Sequence, residues 1–121
     1  CGSAGLFATL DDCITLVQLY LHDGKLGDFE YCSAEMIQSL LKDWTPTRQA
    51  GRSLGWDMDR VGEQIWLRHT GFTGTTVLMN LTTKQAMILL TNRIHQYEDT
   101  PSYNRLREEL IRLYEQEAVH K

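Results

Sequence analysis

The chain has 121 residues, of which 42% are apolar and 23% charged, a size and composition typical of one globular domain. A net charge of −4 at pH 7 argues against nucleic-acid and anionic-membrane partners, because those need a basic patch. No apolar run approaches the roughly 20 residues of a membrane span, and the opening "CGSAGLFATL" lacks a basic n-region, so no signal peptide is predicted. The initial Cys1 predicts a processed or trimmed product. Three cysteines without a Cys-x-x-Cys pair predict incidental thiols rather than a disulfide framework.

Two helices are predicted before residue 50. Thr9 caps the first, in "TLDDCITLVQLYLHDGK", and Gly24 fits its C-terminal end. Ser33 caps the second, in "SAEMIQSLLKDW", and the loop "TPTRQAGRS" follows it. The side chains predicted to face the core recur at helical spacing: Leu10, Cys13, Val17 and Leu21, with Ile14 and Tyr20 beside them, and then Met36, Ile37, Leu40 and Leu41.

After residue 50 the apolar period changes to two. The segments "SLGWDMD", "QIWLRH", "TTVLMNL" and "AMILLTNR" predict strands of an antiparallel meander. "AMILL" is apolar on both faces, which predicts a central strand covered on each side. The closing segment "PSYNRLREELIRLYEQEAVHK" predicts a helix with Leu106, Leu110 and Leu113 as its buried stripe.

This order predicts an α+β fold: two N-terminal helices, a meander of three to four strands, and a C-terminal helix packed on the sheet. We expect one segment over residues 1–121, with a helical part at 1–50 and the sheet plus the last helix at 51–121. No metal site or cofactor is predicted.

The segment "RHTGFTGTTVLMNL" carries the chemistry. His69 can titrate or donate near neutral pH, Thr70 offers a hydroxyl, and Gly71 removes a side chain that would keep another backbone away. A ligand lying along this strand edge could then take main-chain hydrogen bonds. On spacing alone, a bulge or tight turn with a surface histidine and threonine explains the same residues.

The ordered set "AGLFATLDD", "LGWDMD", "HTGFTGT" and "ILLTNRIH" resembles the C-terminal third of the serine β-lactamase-like hydrolases, which include class C β-lactamases, D-alanyl-D-alanine peptidases and esterases. The resemblance implies that His69 stands at the Lys position of a Lys-Thr-Gly element and that Thr70 binds the substrate carboxylate or carbonyl. It also implies close approach at Gly71 and an oxyanion-hole donor in the Phe72 N–H. The Lys-to-His change favours an ester or peptide substrate over a β-lactam.

The same resemblance offers two accessory positions, Asn92 and His95. His95 is predicted to be a structural residue that pins the loop before the last helix rather than a proton shuttle. His22 and His120 lie at helix ends, where a cation favours the helix dipole. A bacterial origin is implied, with cytoplasm and cell envelope both open as compartments.

The nucleophile of this family, the serine of Ser-x-x-Lys with a Tyr-x-Asn or Tyr-x-Ser element, is predicted to be missing. The literal matches, Ser39 with Lys42 and Tyr31 with Ser33, are interpreted as accidental. Ser39 falls near the C-terminal, negative end of its helix, whereas a nucleophile at a helix N-terminus gains from the dipole. Tyr31 also precedes Ser39, while in the family the serine comes first.

These residues support the C-terminal part of a serine hydrolase, without a catalytic residue of its own and inactive alone. The expected partners are a small-molecule or peptide acyl substrate, a missing N-terminal segment of the same protein, and a second copy that covers an exposed sheet edge. The alternatives are a non-catalytic peptide-binding or sensor module, and a chain in which Cys1 is an N-terminal nucleophile released by self-cleavage.

Overall fold

The computed structural model describes residues 4–46, 51–95 and 100–119, so Cys1 and His120 lie outside the described residues. The elements in chain order are α1 Leu10–Leu21, β1 Lys25–Leu26, β2 Phe29–Glu30, α2 Ala34–Leu41, β3 Gly51–Arg52, β4 Asp57–Val61, β5 Gln64–Thr70, β6 Thr76–Asn80, β7 Gln85–Leu89 and α3 Thr100–Val119. The α+β prediction is confirmed. Within the described ranges, no helix is both long and apolar enough to span a bilayer.

Both N-terminal helices begin at the predicted caps. The Thr9 hydroxyl accepts the Asp12 N–H at 3.2 Å, and the Asp12 carboxylate accepts the Thr9 N–H at 2.8 Å, which forms a capping box. Ser33 caps α2 by accepting the Met36 N–H at 3.3 Å. At both helix starts these side-chain hydrogen bonds satisfy N–H groups that have no partner inside the helix.

The main sheet is a five-stranded antiparallel meander in the order β3-β4-β5-β6-β7. β5 is therefore its central strand. In the sheet that the described residues form, β7 lies at the edge, so the prediction of a central position for "AMILL" is wrong there. Both faces of β7 are nevertheless covered, since Ala86 and Ile88 pack on one core cluster and Met87 on the other. The helices on the two faces of the sheet provide this cover. It does not require a hydrogen-bonded strand along each edge of β7.

Side chains alternate between the two faces of the sheet and build two cores. On one face Leu67 and Met79 are fully buried beneath α1 and α2, together with Val17, Leu21, Ile37, Leu41 and Met58. On the other face the fully buried Trp66 and Leu78 pack against Ile111 and Ala118 of α3. The chain thus forms three layers, with the sheet between α1/α2 and α3.

Three side chains predicted to face the core from α1 and α2 are exposed. Leu10 and Ile14 lie on the open flank of α1, and Met36 is 57% exposed on α2. Each helix meets the sheet through a narrow stripe, Val17 and Leu21 on α1 and Ile37 and Leu41 on α2. Apolar spacing alone overestimates the width of that stripe.

The predicted buried stripe of α3 is also wrong. Leu106, Leu110 and Leu113 are 64%, 41% and 49% exposed. Helical spacing gives α3 a second stripe at Ile111 and Ala118, and this one faces the sheet. The three leucines form an uncovered apolar surface on the molecule.

An ionic cluster lies where α3 crosses β4 and β5. The Arg68 guanidinium contacts the carboxylates of Asp59 and Glu108, each at 2.8 Å. Glu115 is buried beside them, and its Oε1 has no hydrogen-bond partner among the described residues. Burial raises the pKa of Glu115, and the negative charge of Asp59 adds to the effect.

Replacing Glu115 by glutamine is expected to stabilise the fold at pH 7 to 8. A carboxyl whose folded pKa is raised binds its proton more tightly when folded, so folding stability declines as pH rises from the unfolded pKa through the folded one. The melting temperature of E115Q should therefore exceed that of the parent above this window and approach it below. The exposed Glu117→Gln is the control, and an equal gain there would contradict the assignment.

Candidate active site

β5 extends past β4 at the end that carries His69 and Thr70. The last register pair between these two strands joins Arg68 to Asp57, and beyond it the described ladder pairs β5 with β6 alone. The chain before β4 turns away at Gly55, whose φ is +93°. One margin of the sheet is therefore left without a neighbouring strand at Thr70.

The direction of the Thr70 peptide groups follows from the hairpin hydrogen bonds. The Gly71 N–H donates to the Thr75 carbonyl at 2.7 Å, and hydrogen-bonded pairs alternate with non-hydrogen-bonded ones along an antiparallel ladder. Thr70 and Thr76 therefore form a non-hydrogen-bonded pair. The N–H and C=O of Thr70 point away from β6, towards the margin where β4 has ended.

The turn formed by residues 71–74 has every carbonyl oxygen engaged by hydrogen-bond donors. The Gly71 oxygen accepts the Gly74 N–H at 3.1 Å and Arg107 at 3.4 Å, and the Gly74 oxygen accepts the Tyr103 and Thr91 hydroxyls at 2.6 and 2.7 Å. Arg93 donates to the two carbonyls between them, through Nε at 2.5 Å and through its backbone N–H at 2.9 Å. Within the described ranges the Phe72 N–H has no protein acceptor.

Two glycines of this turn lie so close to neighbouring side chains that an added Cβ would force those side chains to shift. A Cβ on Gly71 would collide with the Thr75 hydroxyl, and a Cβ on Gly74 would lie 2.6 Å from the Thr91 hydroxyl and 2.9 Å from that of Tyr103. Gly74 also has a φ of +111°, which strains other residues. A residue other than glycine would therefore force the Thr75 side chain to shift at position 71 and would strain the backbone at position 74.

The side chains of His69 and Thr70 lie on opposite faces of the sheet, because neighbours on a strand alternate. His69 is exposed and stands edge-on to Trp56, with the ring centroids 6.4 Å apart. Thr70 is half-buried on the α3 side. The site therefore brings together the main chain of Thr70, Gly71 and Phe72, with His69 directed to the other face.

Comparison with known proteins decides the family. The family model described as Beta-lactamase matches residues 2–111. The chain belongs to the beta-lactamase family. It is 27% identical, over 113 residues, to a protein of Escherichia coli O157:H7 provisionally named D-alanyl-D-alanine carboxypeptidase, with 85% of this chain and 26% of that protein covered. The protein of the same name in Escherichia coli strain K12 is 26% identical over the same coverage. No solved structure matches the chain.

The beta-lactamase-family chain spans about a quarter of the length of the curated relatives it matches. Within that quarter the structure places the predicted substrate-binding residues on one strand end and turn. The accessory residues Asn92 and His95 are both exposed and follow β7. The residues that contact the turn from this segment are Thr91 and Arg93.

Sequence analysis missed four residues that hold the turn: Thr91, Arg93, Tyr103 and Arg107. Arg93 also stacks on the Phe72 ring, with its guanidinium carbon 4.5 Å from the centroid. Arg93 stands inside the "ILLTNRIH" motif, so its place in that motif is the one sequence signal that points to it. Tyr103 and Arg107 reach backbone oxygens from a distant helix, which no local spacing encodes.

Ser39 and Lys42, the literal Ser-x-x-Lys match, make no hydrogen bond to each other among the described residues. Ser39 lies in the last turn of α2, where its backbone oxygen accepts the Trp44 indole N–H at 3.1 Å. Lys42 follows the helix and places its Nζ 5.1 Å from the centroid of the Trp44 ring. Tyr31 is 71% exposed. Trp44 thus contacts the Ser39 backbone and the Lys42 ammonium.

A groove of about 540 Å³ opens at the opposite end of the sheet. It lies between α1, the β1–β2 hairpin and the turn that carries Lys84, and it shares no lining residue with the 71–74 turn. Among the described residues no three His, Cys, Asp or Glu side chains converge as a metal site. The strand end at Thr70 thus forms one side of the candidate substrate site, and the described residues do not form an opposite side.

Replacing Tyr103 by phenylalanine is expected to loosen the turn. The substitution removes a donor to the Gly74 carbonyl and should cost about 1 kcal/mol of the free energy of unfolding. Amide hydrogen exchange at Gly71 and Gly74 should accelerate. Tyr20→Phe is the matched control, since the Tyr20 hydroxyl makes no hydrogen bond within the described ranges, and equal changes in both variants would contradict this role.

Proposed function

We propose that the chain is the C-terminal part of a serine hydrolase that forms an acyl-enzyme with an ester, a D-Ala-D-Ala peptide or a β-lactam. The supporting observation is the hydrogen bonding of the backbone groups in the 71–74 turn. Its carbonyl oxygens are held by donors from the β7 end and α3, while the Phe72 N–H has no acceptor among the residues that the structure describes. An N–H fixed in this way can stabilise the oxyanion of a tetrahedral intermediate without reorganising.

We propose the remaining roles for the strand end that leads into this turn. The Thr70 hydroxyl would bind the carboxylate or carbonyl of the substrate, and the free margin beside Thr70 would accept its main chain. His69, on the other face of the sheet from the Thr70 side chain, would supply an imidazole at the position that carries lysine in Lys-Thr-Gly enzymes. This replacement favours esters and peptides over β-lactams.

The nucleophile is proposed to lie outside these 121 residues, on a preceding segment of a longer polypeptide. Ser39 at the C-terminal end of α2 supports this proposal, because the negative end of the helix dipole opposes an oxyanion there. The names of the two relatives support a peptidase-type substrate. The chain alone is then expected to be inactive, with substrate and the preceding segment as its partners.

The test is hydrolysis of p-nitrophenyl acetate and nitrocefin by a polypeptide that includes this chain and its preceding segment. Turnover should appear, and Thr70→Ala should lower kcat/KM while Thr73→Ala, on the exposed side of the turn, should not. Turnover that survives T70A would refute the site. Ligand binding without any turnover would instead favour a non-catalytic peptide-binding or sensor module.

A further inference from the structure

The segment "LGWDMD" carries Trp56 immediately before β4 begins. The register of β4 and β5 pairs Asp57 with Arg68, so one further step along the same ladder sets Trp56 opposite His69. Trp56 packs against the core cluster beneath α1 and α2, and His69 faces that side because Leu67, two residues earlier on β5, is buried there. Trp56 and His69 are therefore cross-strand neighbours on one face of the sheet.

The backbone brings these two side chains to the closest spacing that an antiparallel ladder offers. Thr70 is in a non-hydrogen-bonded position against β6, so by alternation its neighbour His69 exchanges hydrogen bonds with Val77. The Trp56 carbonyl accepts the Ser53 N–H at 3.0 Å, on the side away from β5. Facing residues without mutual hydrogen bonds have Cα atoms about 4.5 Å apart, which brings their side chains together. The register itself thus produces the contact between the two rings.

Three rings stand edge-on to one another along this face. The planes of the Trp56 and His69 rings are at 90°, with the centroids 6.4 Å apart. Tyr20 of α1 meets Trp56 at 82°, with the centroids 5.4 Å apart. Edge-to-face arrangements of this kind are among those that aromatic pairs prefer. Tyr20 therefore supports the indole from α1, and the indole in turn supports the imidazole.

The chain on both sides of Trp56 is held in place by polar contacts. The Leu54 N–H donates to the Leu40 carbonyl of α2 at 3.1 Å. The Arg52 guanidinium contacts the Asp57 carboxylate at 2.7 Å. The indole thus has a fixed position against which the imidazole can rest.

We propose that Trp56 is a positioning residue for the His69 imidazole at the strand end that forms the candidate site. A lysine would bring a flexible stem to this position, whereas an imidazole is short and directs its two nitrogen atoms along fixed lines. The orientation of the ring therefore decides where His69 can donate or accept. The effect of Trp56 on turnover rests on the proposed function, while its effect on the ring does not.

The first experiment observes the ring contact by NMR in the 121-residue chain and in the longer polypeptide. Nuclear Overhauser effects between the indole protons of Trp56 and the ring protons of His69 are expected. Trp56→Leu should shift the His69 ring resonances, and Trp56→Phe should preserve most of the contact. Trp44→Leu is the matched control and should leave those resonances in place, because Trp44 is 51% exposed and contacts the Ser39 backbone and Lys42.

The second experiment is a double-mutant cycle on p-nitrophenyl acetate hydrolysis by the longer polypeptide. Trp56→Leu should lower kcat/KM by about 2- to 10-fold, which corresponds to the free energy of one edge-on aromatic contact. Trp56→Phe should restore most of the loss. In a His69→Ala background, Trp56→Leu should have no further effect, because two residues that act through one contact are not additive.

Two NMR results would overturn the proposal: no Overhauser effect between the two rings in the parent chain, or His69 resonances that do not move in W56L. An equal loss of kcat/KM with and without His69 would overturn it as well, because Trp56 would then act independently of the imidazole. A ring contact that is present in a longer polypeptide without turnover would support the positioning role and contradict the hydrolase proposal.

Discussion

Gly71→Val is expected to reduce acyl transfer by at least about 100-fold in the longer polypeptide that carries the nucleophile. The new side chain would collide with the Thr75 hydroxyl and displace the turn, and loss of one oxyanion donor alone costs about 10²–10³ in kcat. The effect should fall on kcat more than on KM, because the lost contact forms chiefly in the transition state.

The control for Gly71→Val is Thr73→Val in the same turn. Thr73 is exposed, and no hydrogen bond of its hydroxyl is present among the described residues. A correctly folded G71V protein with unchanged kcat would remove the Phe72 N–H from the proposed mechanism. Near-ultraviolet circular dichroism and the melting temperature distinguish a displaced turn from a general loss of structure.

Trp66→Ala is expected to lower the free energy of unfolding by about 3–5 kcal/mol, the usual cost of removing a large buried aromatic side chain. Trp66 is fully buried on β5 and meets the Tyr114 ring edge-on, with centroids 5.9 Å apart. Since α3 also carries Tyr103 and Arg107, a loosened helix should release the 71–74 turn.

Urea unfolding measures the stability of the Trp66 variants, and amide exchange at Gly74 reports the state of the turn. Trp66→Phe keeps most of the apolar contact and should retain both. If W66A lost stability without faster exchange at Gly74, α3 would not hold the turn, and the structural link between core and site would be wrong.

The sequence predicts the elements of this fold better than their arrangement. The caps at Thr9 and Ser33 are local hydrogen bonds, so the residues at those positions suffice to locate both helix starts. α3 has two apolar stripes, and sequence spacing cannot decide which one meets a sheet formed by distant residues. The apolar faces of β7 likewise predict cover by helices but say nothing of its in-sheet neighbours.

The candidate site shows the same limit. His69, Thr70 and Gly71 stand together in the sequence, and their position at a strand end follows from alternation and glycine. Tyr103 and Arg107 act on the turn through backbone oxygens across more than twenty residues, so the tertiary fold alone brings them there. Arg93 lies within the "ILLTNRIH" motif, but the sequence does not show that its side chain and backbone N–H turn towards the carbonyl oxygens of residues 72 and 73.

The most direct test of the central claim is covalent trapping. A β-lactam or a fluorophosphonate is incubated with the 121-residue chain and with the longer polypeptide, and the adduct is located by peptide mass spectrometry. We expect no adduct on the chain alone and one acylated serine in the longer form, at a position preceding this chain. An adduct on Ser39, or on any other residue of the isolated chain, would contradict the account.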